Sequence, residues 1–197
     1  MYSKEICLSI LLMISVHLMA SGQKSTGGQK VDDKKLATIL SQRVDTLNYS
    51  HLKFDTIYKY YKSKDIDLVK ADNPDLYFEI FEWLNSPYSW GGRSKKGTDC
   101  AGFVNSLLNK LYNRKYGGSA YNLYDKCDTV SSGDIREGDL LFFNISGRHL
   151  AHVAIYLQNG KFAHAASHGG VIVSSLEEKY YKRWFYRAGR VNFVNNP

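Results

Sequence analysis

Metal-ligand and nucleotide-binding signatures are missing from this chain. It has three cysteines in 197 residues, at 7, 100 and 127, and six scattered histidines, with no CxxC or HExxH among them. That excludes the compact ligand spacings of zinc and redox-dithiol sites. A Walker loop and a GxGxxG turn are equally absent, so neither a metal nor a cofactor is expected. Long apolar runs are missing too. The run from Ile6 to Met19 is shorter than the roughly 20 residues a membrane-crossing helix needs. Acidic residues are in deficit, 19 against 26 Lys and Arg, which leaves a net charge of +7 and a pI near 9.2. Such a balance favours anionic partners, whether nucleic acid, acidic lipid or cell-wall polymer, and does not choose among them. Charge and scattered aromatics are the only support for nucleic-acid binding, and no nucleic-acid partner is expected.

The short apolar run still has a reading. Lys4 precedes it, and Ala20 and Gly22 stand at minus three and minus one of a cleavage before Gln23. Residues 1–22 therefore read as a signal peptide, and the mature protein as exported to the periplasm, cell surface or medium without a transmembrane anchor. An uncleaved anchor is the alternative. No cysteine follows the small residues and Cys7 lies too early for lipoprotein processing, so no lipid anchor is expected. Export leaves Cys100 and Cys127, which are able to pair in an oxidising compartment. Cys127 sits in the polar stretch Tyr124-Asp125-Lys126-Cys127-Asp128 and reads as a bystander.

The hydrophobic fraction of 44% and aromatic fraction of 14% argue for one packed domain. Residues 23–34 read as a flexible leader. Helical spacing follows over Lys35 to Leu47 and, more weakly, over Phe54, Ile57, Tyr58 and Tyr61. The stretch 23–75 is thus a leader and helical extension, and 76–197 the main domain. Asn73-Pro74-Asp75 starts a helix, through a capping side chain and proline at the first position, and Asn85-Ser86-Pro87 ends it. The segment from Asn113 to Arg136 reads as irregular. Beyond Gly138-Asp139, where Asp139 reads as a turn residue, five strands are expected. They are Leu140 to Ile145, His152 to Leu157, Lys161 to Ala166, Gly170 to Ser174 and Phe185 to Val194. Helices followed by a run of strands joined by short turns predict an α+β fold with a mainly antiparallel sheet. No internal repeat interrupts it.

Chemistry concentrates at Cys100, in Thr98-Asp99-Cys100-Ala101-Gly102-Phe103. A Gly-rich turn ends there and a helix begins, with Thr98 or Asp99 as its cap. A thiol in a first helical turn feels the positive end of the helix dipole, which favours thiolate. His152 opens one predicted strand and His164 lies in the next. They share a face only if the intervening loop, Gln158-Asn159-Gly160, has three residues with Gly160 left-handed, which sets His164 opposite Ala154. The two histidines are then diagonal neighbours, roughly 7–8 Å apart along the backbone, and their rings can meet. A tight two-residue turn would send them to opposite faces. His51, His149 and His168 lack such context and are expected at the surface.

These residues resemble the NlpC family of papain-like bacterial cell-wall endopeptidases. The resemblance runs from about Leu76 to Val194. It rests on Tyr88-Ser89-Trp90-Gly91-Gly92, Thr98-Asp99-Cys100-Ala101-Gly102-Phe103-Val104, Gly138-Asp139-Leu140, His152-Val153-Ala154-Ile155-Tyr156 and His164-Ala165. It implies a papain-like fold with the nucleophile helix packed on the sheet. It also implies Cys100 as nucleophile, His152 as its base, His164 as the polar residue orienting that base, and Tyr88 as a hydroxyl polarising the substrate carbonyl. The Cys100 N–H would belong to the oxyanion hole. The implied substrate is the peptidoglycan stem peptide, cut between D-γ-glutamate and the diamino acid that follows. Two positions depart from the pattern: Ala101 replaces the usual serine, and Ala154 a frequent glycine. Neither removes a catalytic group, but the hydroxyl missing beside the nucleophile bears on how the glutamyl carboxylate is held. Related folds with the same Cys–His pair act as amidases or acyltransferases, and a catalytically silent wall-binding module is a further alternative.

Overall fold

The computed structural model describes residues 38, 50, 52–113, 116–145 and 150–191. The chain divides into a unit from Met1 to Asn48 and a larger one from Tyr49 to Pro197. Only Thr38 of the first is described. The expected signal peptide, the leader, most of the helix from Lys35, and His51 and His149 therefore lie outside the described residues.

Helix α1 (52–63) buries Ile57 and Tyr61, one turn apart, as the weak apolar pattern anticipates. Helix α2 (Pro74–Trp83) starts where Asn73 accepts a hydrogen bond from the Leu76 N–H, with proline at the first position. It ends near Asn85, which adopts a left-handed φ of 63°. A two-stranded ribbon, β1 (Arg93–Ser94) and β2 (Gly97–Thr98), then delivers the chain to α3 (Cys100–Tyr112).

Six antiparallel strands follow: β3 (Cys127–Val130), β4 (Leu140–Phe143), β5 (His152–Tyr156), β6 (Lys161–Ala166), β7 (Gly170–Ser175) and β8 (Phe185–Val191). Their order across the sheet is β3-β8-β4-β5-β6-β7. Five of the six stand where periodicity placed them. The correction is the segment from Asn113 to Arg136, which is not irregular throughout. It holds a short helix, α4 (Ala120–Tyr124), closed by a Ser119–Asn122 capping box, and the edge strand β3. Strand β3 has exposed Asp128 and Thr129 between half-buried Cys127 and Val130, so it lacks strand alternation and is made regular by pairing with β8. A further helix, α5 (Lys179–Trp184), joins β7 to β8.

Strand alternation gives the sheet two buried faces. Leu140, Phe142, Val153, Ile155, Ala163, Ala165, Val171 and Val173 meet Phe103, Val104, Leu107 and the buried residues of α1 and α2. Leu141, Phe143, Ala154, Phe162 and Ala188 turn the other way, toward Tyr181 of α5 and Phe185. Both helix α3 and helix α5 thus have the sheet between them.

The β5–β6 connection has three residues. Leu157 N–H donates to the Lys161 carbonyl at 2.9 Å and Lys161 N–H to the Gln158 carbonyl at 2.8 Å. Asn159 and Gly160 are both left-handed, with φ of 52° and 71°. Only glycine adopts that conformation without cost, and Asn159 is supported there by a 2.8 Å bond from its Nδ2 to the Asp65 carbonyl. Ile155 pairs with Ala163 and Tyr156 with Phe162, so the same register sets His164 opposite Ala154, as expected.

Candidate functional site

Cys100 is the first residue of α3, and Asp99 is its cap. One Asp99 carboxylate oxygen accepts from the Gly102 N–H at 2.6 Å, and the other from the Gly91 N–H at 2.8 Å. Thr98, the other expected cap, instead donates its hydroxyl to the Gly92 carbonyl. The Gly-rich turn rests directly on the helix mouth. A Cβ on Gly102 would lie 2.0 Å from the Gly92 carbonyl oxygen, so no side chain fits at that position.

The Cys100 thiol is buried, 8% exposed. Burial pushes it above its ordinary range, and the Asp99 charge adds to this. The backbone N–H groups of Val153, Ala101 and Cys100 itself act in the opposite direction. Desolvation therefore outweighs the helix end, and the expected preference for thiolate is not found. The Val153 hydrogen bond sets the sulfur against the backbone of β5, one residue along from His152.

His152 Nε2 lies 2.9 Å from His164 Nδ1, with the two rings edge to face. Burial alone holds His152 down at about 4; His164 is at about 3, lowered by burial and then by His152. Both imidazoles are neutral at pH 7. With Nε2 engaged, Nδ1 is the ring nitrogen His152 has left for a thiol. Tyr88 stands across the cleft, its backbone bridged to Thr98. Its phenol is raised by burial and then by the charges of Cys100 and Asp99, so it remains a hydroxyl near the sulfur. Tyr88, His152 and His164 line one cavity of about 200 Å³ with Ile145, Ala165 and Tyr180.

Two further groups reach the site that the sequence did not single out. Ser174 Oγ and Tyr181 Oη lie 3.1 and 3.2 Å from His164 Nε2. The signal for Ser174 was present: it is a polar residue at a buried position of β7, opposite Phe162 and diagonal to His164. Tyr181 was hidden, because α5 begins among the charged residues Glu177, Glu178 and Lys179.

Three expectations elsewhere need adjustment. Asp139 is not a simple turn residue. It is 2% exposed and receives Arg190 through Nε and Nη2, each at 2.7 Å. Cys127 lies in β3, not in a polar loop, and burial pushes its thiol up to about 12. Cys127 and Cys100 are both free. His168 is exposed, as expected. Among the described residues no group of three or more His, Cys, Asp and Glu is placed to hold a metal ion. Nor is any helix among them long and apolar enough to cross a membrane.

A model of the NlpC/P60 family matches residues 85–190, which spans every site residue above. The murein DD-endopeptidase MepS/murein LD-carboxypeptidase of Escherichia coli K12 is 37% identical over 123 residues. That match covers 62% of this chain and 63% of the relative, so the chain accounts for under two thirds of its length. A crystal structure from Staphylococcus aureus, described as similar to lipoprotein and of the NLP/P60 family, aligns with a TM-score of 0.53 at 30% identity. It covers 59% of this chain and 40% of that one. The NlpC/p60 domain of the peptidoglycan hydrolase SagA aligns with a TM-score of 0.52 at 28% identity, covering 59% of this chain and 96% of that domain.

Proposed function

Because this chain belongs to the NlpC/P60 family, we propose that it is an exported cysteine peptidase hydrolysing amide bonds in peptidoglycan stem peptides. The observation that carries the reading is the 2.9 Å His152–His164 contact, together with a thiol at a helix N-terminus that is hydrogen-bonded to the β5 backbone at Val153.

In the proposed reaction Cys100 starts as a thiol and His152 as a neutral base. His152 Nδ1 takes the thiol proton as the sulfur attacks the amide carbon. The resulting oxyanion is met by backbone N–H groups at the start of α3, with the Tyr88 hydroxyl beside them. The imidazolium then gives its proton to the leaving nitrogen, the C–N bond breaks, and a thioester on Cys100 remains. Water, deprotonated by His152, attacks the thioester and restores the thiol. His164 steadies the imidazolium through its Nδ1.

Export rests on the signal-like segment 1–22 and on the wall-directed names of the relatives. Two regions of the stem peptide compete as the place of the cut. Family resemblance favours the D-γ-glutamyl to diamino acid bond. The name of the E. coli relative, a DD-endopeptidase and LD-carboxypeptidase, favours bonds at the D-alanyl end, and Ala101 departs from the pattern of the first class.

Digestion of purified peptidoglycan, with fragments identified by mass spectrometry, tests the proposal. New amino termini on the diamino acid support the γ-glutamyl cut, and opened cross-links or lost terminal D-alanine the second. Release of whole stem peptides from the glycan would make the protein an amidase. Binding without cleavage would make it a silent wall-binding module.

A further inference from the structure

His152 can take the thiol proton on Nδ1 only if its own proton sits on Nε2. That proton points at His164 Nδ1, 2.9 Å away, which must then accept. His164 consequently carries its proton on Nε2, the nitrogen that faces the two oxygens of Ser174 and Tyr181. Were His164 protonated on Nδ1 instead, His152 Nε2 would have to accept. His152 would then hold its proton on Nδ1 and would be useless as a base. The catalytic tautomer of the pair thus requires an acceptor at the far nitrogen of His164.

We propose that Ser174 and Tyr181 are positioning residues that hold His164 in its Nε2–H tautomer and so keep His152 Nδ1 free to act as base. The inference rests on the role given to His152 above. Both hydroxyls are fixed from outside the pair. Ser174 sits on β7, its strand position set by pairing with Phe162. Tyr181 is held edge-on to His164, Phe162 and Phe143, at centroid distances of 5.2, 5.0 and 5.8 Å. His164 is 1% exposed, so bulk water has little access to replace them. Either hydroxyl can turn to accept, and a buried N–H without an acceptor costs more than a bare ring nitrogen without a donor, so the Nε2–H form is the one that depends on them. Because either oxygen alone can accept, each covers for the other.

The test uses the full chain labelled with ¹⁵N-histidine, in wild type, Tyr181→Phe, Ser174→Ala and the double variant. Imidazole ¹⁵N shifts report the tautomers, and iodoacetamide alkylation of Cys100 at pH 7 reports the base without needing a substrate. Each single variant is expected to keep the wild-type tautomer and to lose less than about threefold in alkylation rate. The double variant is expected to show His164 redistributed between tautomers and alkylation about tenfold slower, the usual scale for partners that orient a functional imidazole. Where stem peptide is hydrolysed, kcat should fall by the same factor with KM unchanged. Tyr181→Phe combined with Ser174→Thr, which restores one hydroxyl, should recover the wild-type spectrum, and it replaces the double variant if that one does not fold. A double variant with the wild-type His164 tautomer and alkylation rate overturns the proposal, as does a Ser174→Thr combination that fails to restore them. If wild type cleaves no peptidoglycan while these signals move as described, the reading of the substrate has failed and the positioning role stands.

Discussion

Burial of two imidazoles side by side makes the stability of this protein depend on pH in a defined window. His152 titrates near 6.5 in an unfolded chain and at about 4 here. Between those values the unfolded chain binds a proton that the folded one refuses, so folding stability falls as pH drops through the window and is flat above it. At roughly 1.4 kcal/mol per pKa unit, His152 alone accounts for about 3 kcal/mol lost between pH 7 and pH 4. His164 acts in the same direction over a window reaching about 3, and repulsion between the two rings delays the second proton. Carboxylates titrate in this range as well, so the contrast that isolates the histidine is with His152→Gln, which cannot protonate. Urea unfolding at pH 7, 6, 5 and 4 should give a shallower loss for the variant, by about 3 kcal/mol at pH 4, whatever the difference at pH 7. Parallel stability curves for the two proteins, or a wild type that gains stability as the pH falls, would refute the reasoning.

Three substitutions probe the frame around the site. Gly102→Ala places a methyl group against the Gly92 carbonyl oxygen; chemical denaturation should show a loss of about 3 kcal/mol, the upper range for overpacking, and hydrolysis should fall with it. Arg190→Ala leaves the buried Asp139 carboxylate with the Arg136 N–H but without its cation; because Arg190 is itself half exposed, the loss should sit at the lower end of the scale for broken buried pairs, about 3 kcal/mol in the same assay. Gln158→Ala removes bonds to the Asp67 N–H and carbonyl and to Glu137, at 3.0, 3.2 and 2.7 Å. About 2 kcal/mol should be lost, while the histidine ¹⁵N spectrum stays that of wild type, since Gly160 still closes the loop.

Much of this was legible because the features that place Cys100, His152 and His164 are local. The Asn73-Pro74 start, the Asp99 cap and the short, largely apolar runs of β4 to β7 are written in neighbouring residues. The length of the loop at Gln158 fixed the face of His164 by strand parity alone. What stayed hidden depends on pairing at a distance. Strand β3 is regular only because β8 lies beside it, and Asp139 looks like a turn residue until Arg190, 51 positions later, arrives on that strand. Tyr181 reads as part of a polar link because only its neighbours across the sheet, Phe143 and Phe162, show that it faces inward. The thiol was misjudged for a related reason. The helix end could be read from sequence, but the burial that outweighs it belongs to the assembled fold.

The central claim is that Cys100 is the reacting group. Partial alkylation with iodoacetamide, followed by peptide mapping and residual hydrolysis of peptidoglycan, tests it most directly. Cys127 is an internal control, a free, half-buried thiol pushed up to about 12 by burial, with Arg187, Asp128 and Asp139 as the charges acting on it. Residual activity should fall in one-to-one proportion to modification of Cys100 and reach zero when that thiol is fully blocked, while labelling of Cys127 tracks nothing. Full activity with Cys100 completely modified would contradict the account.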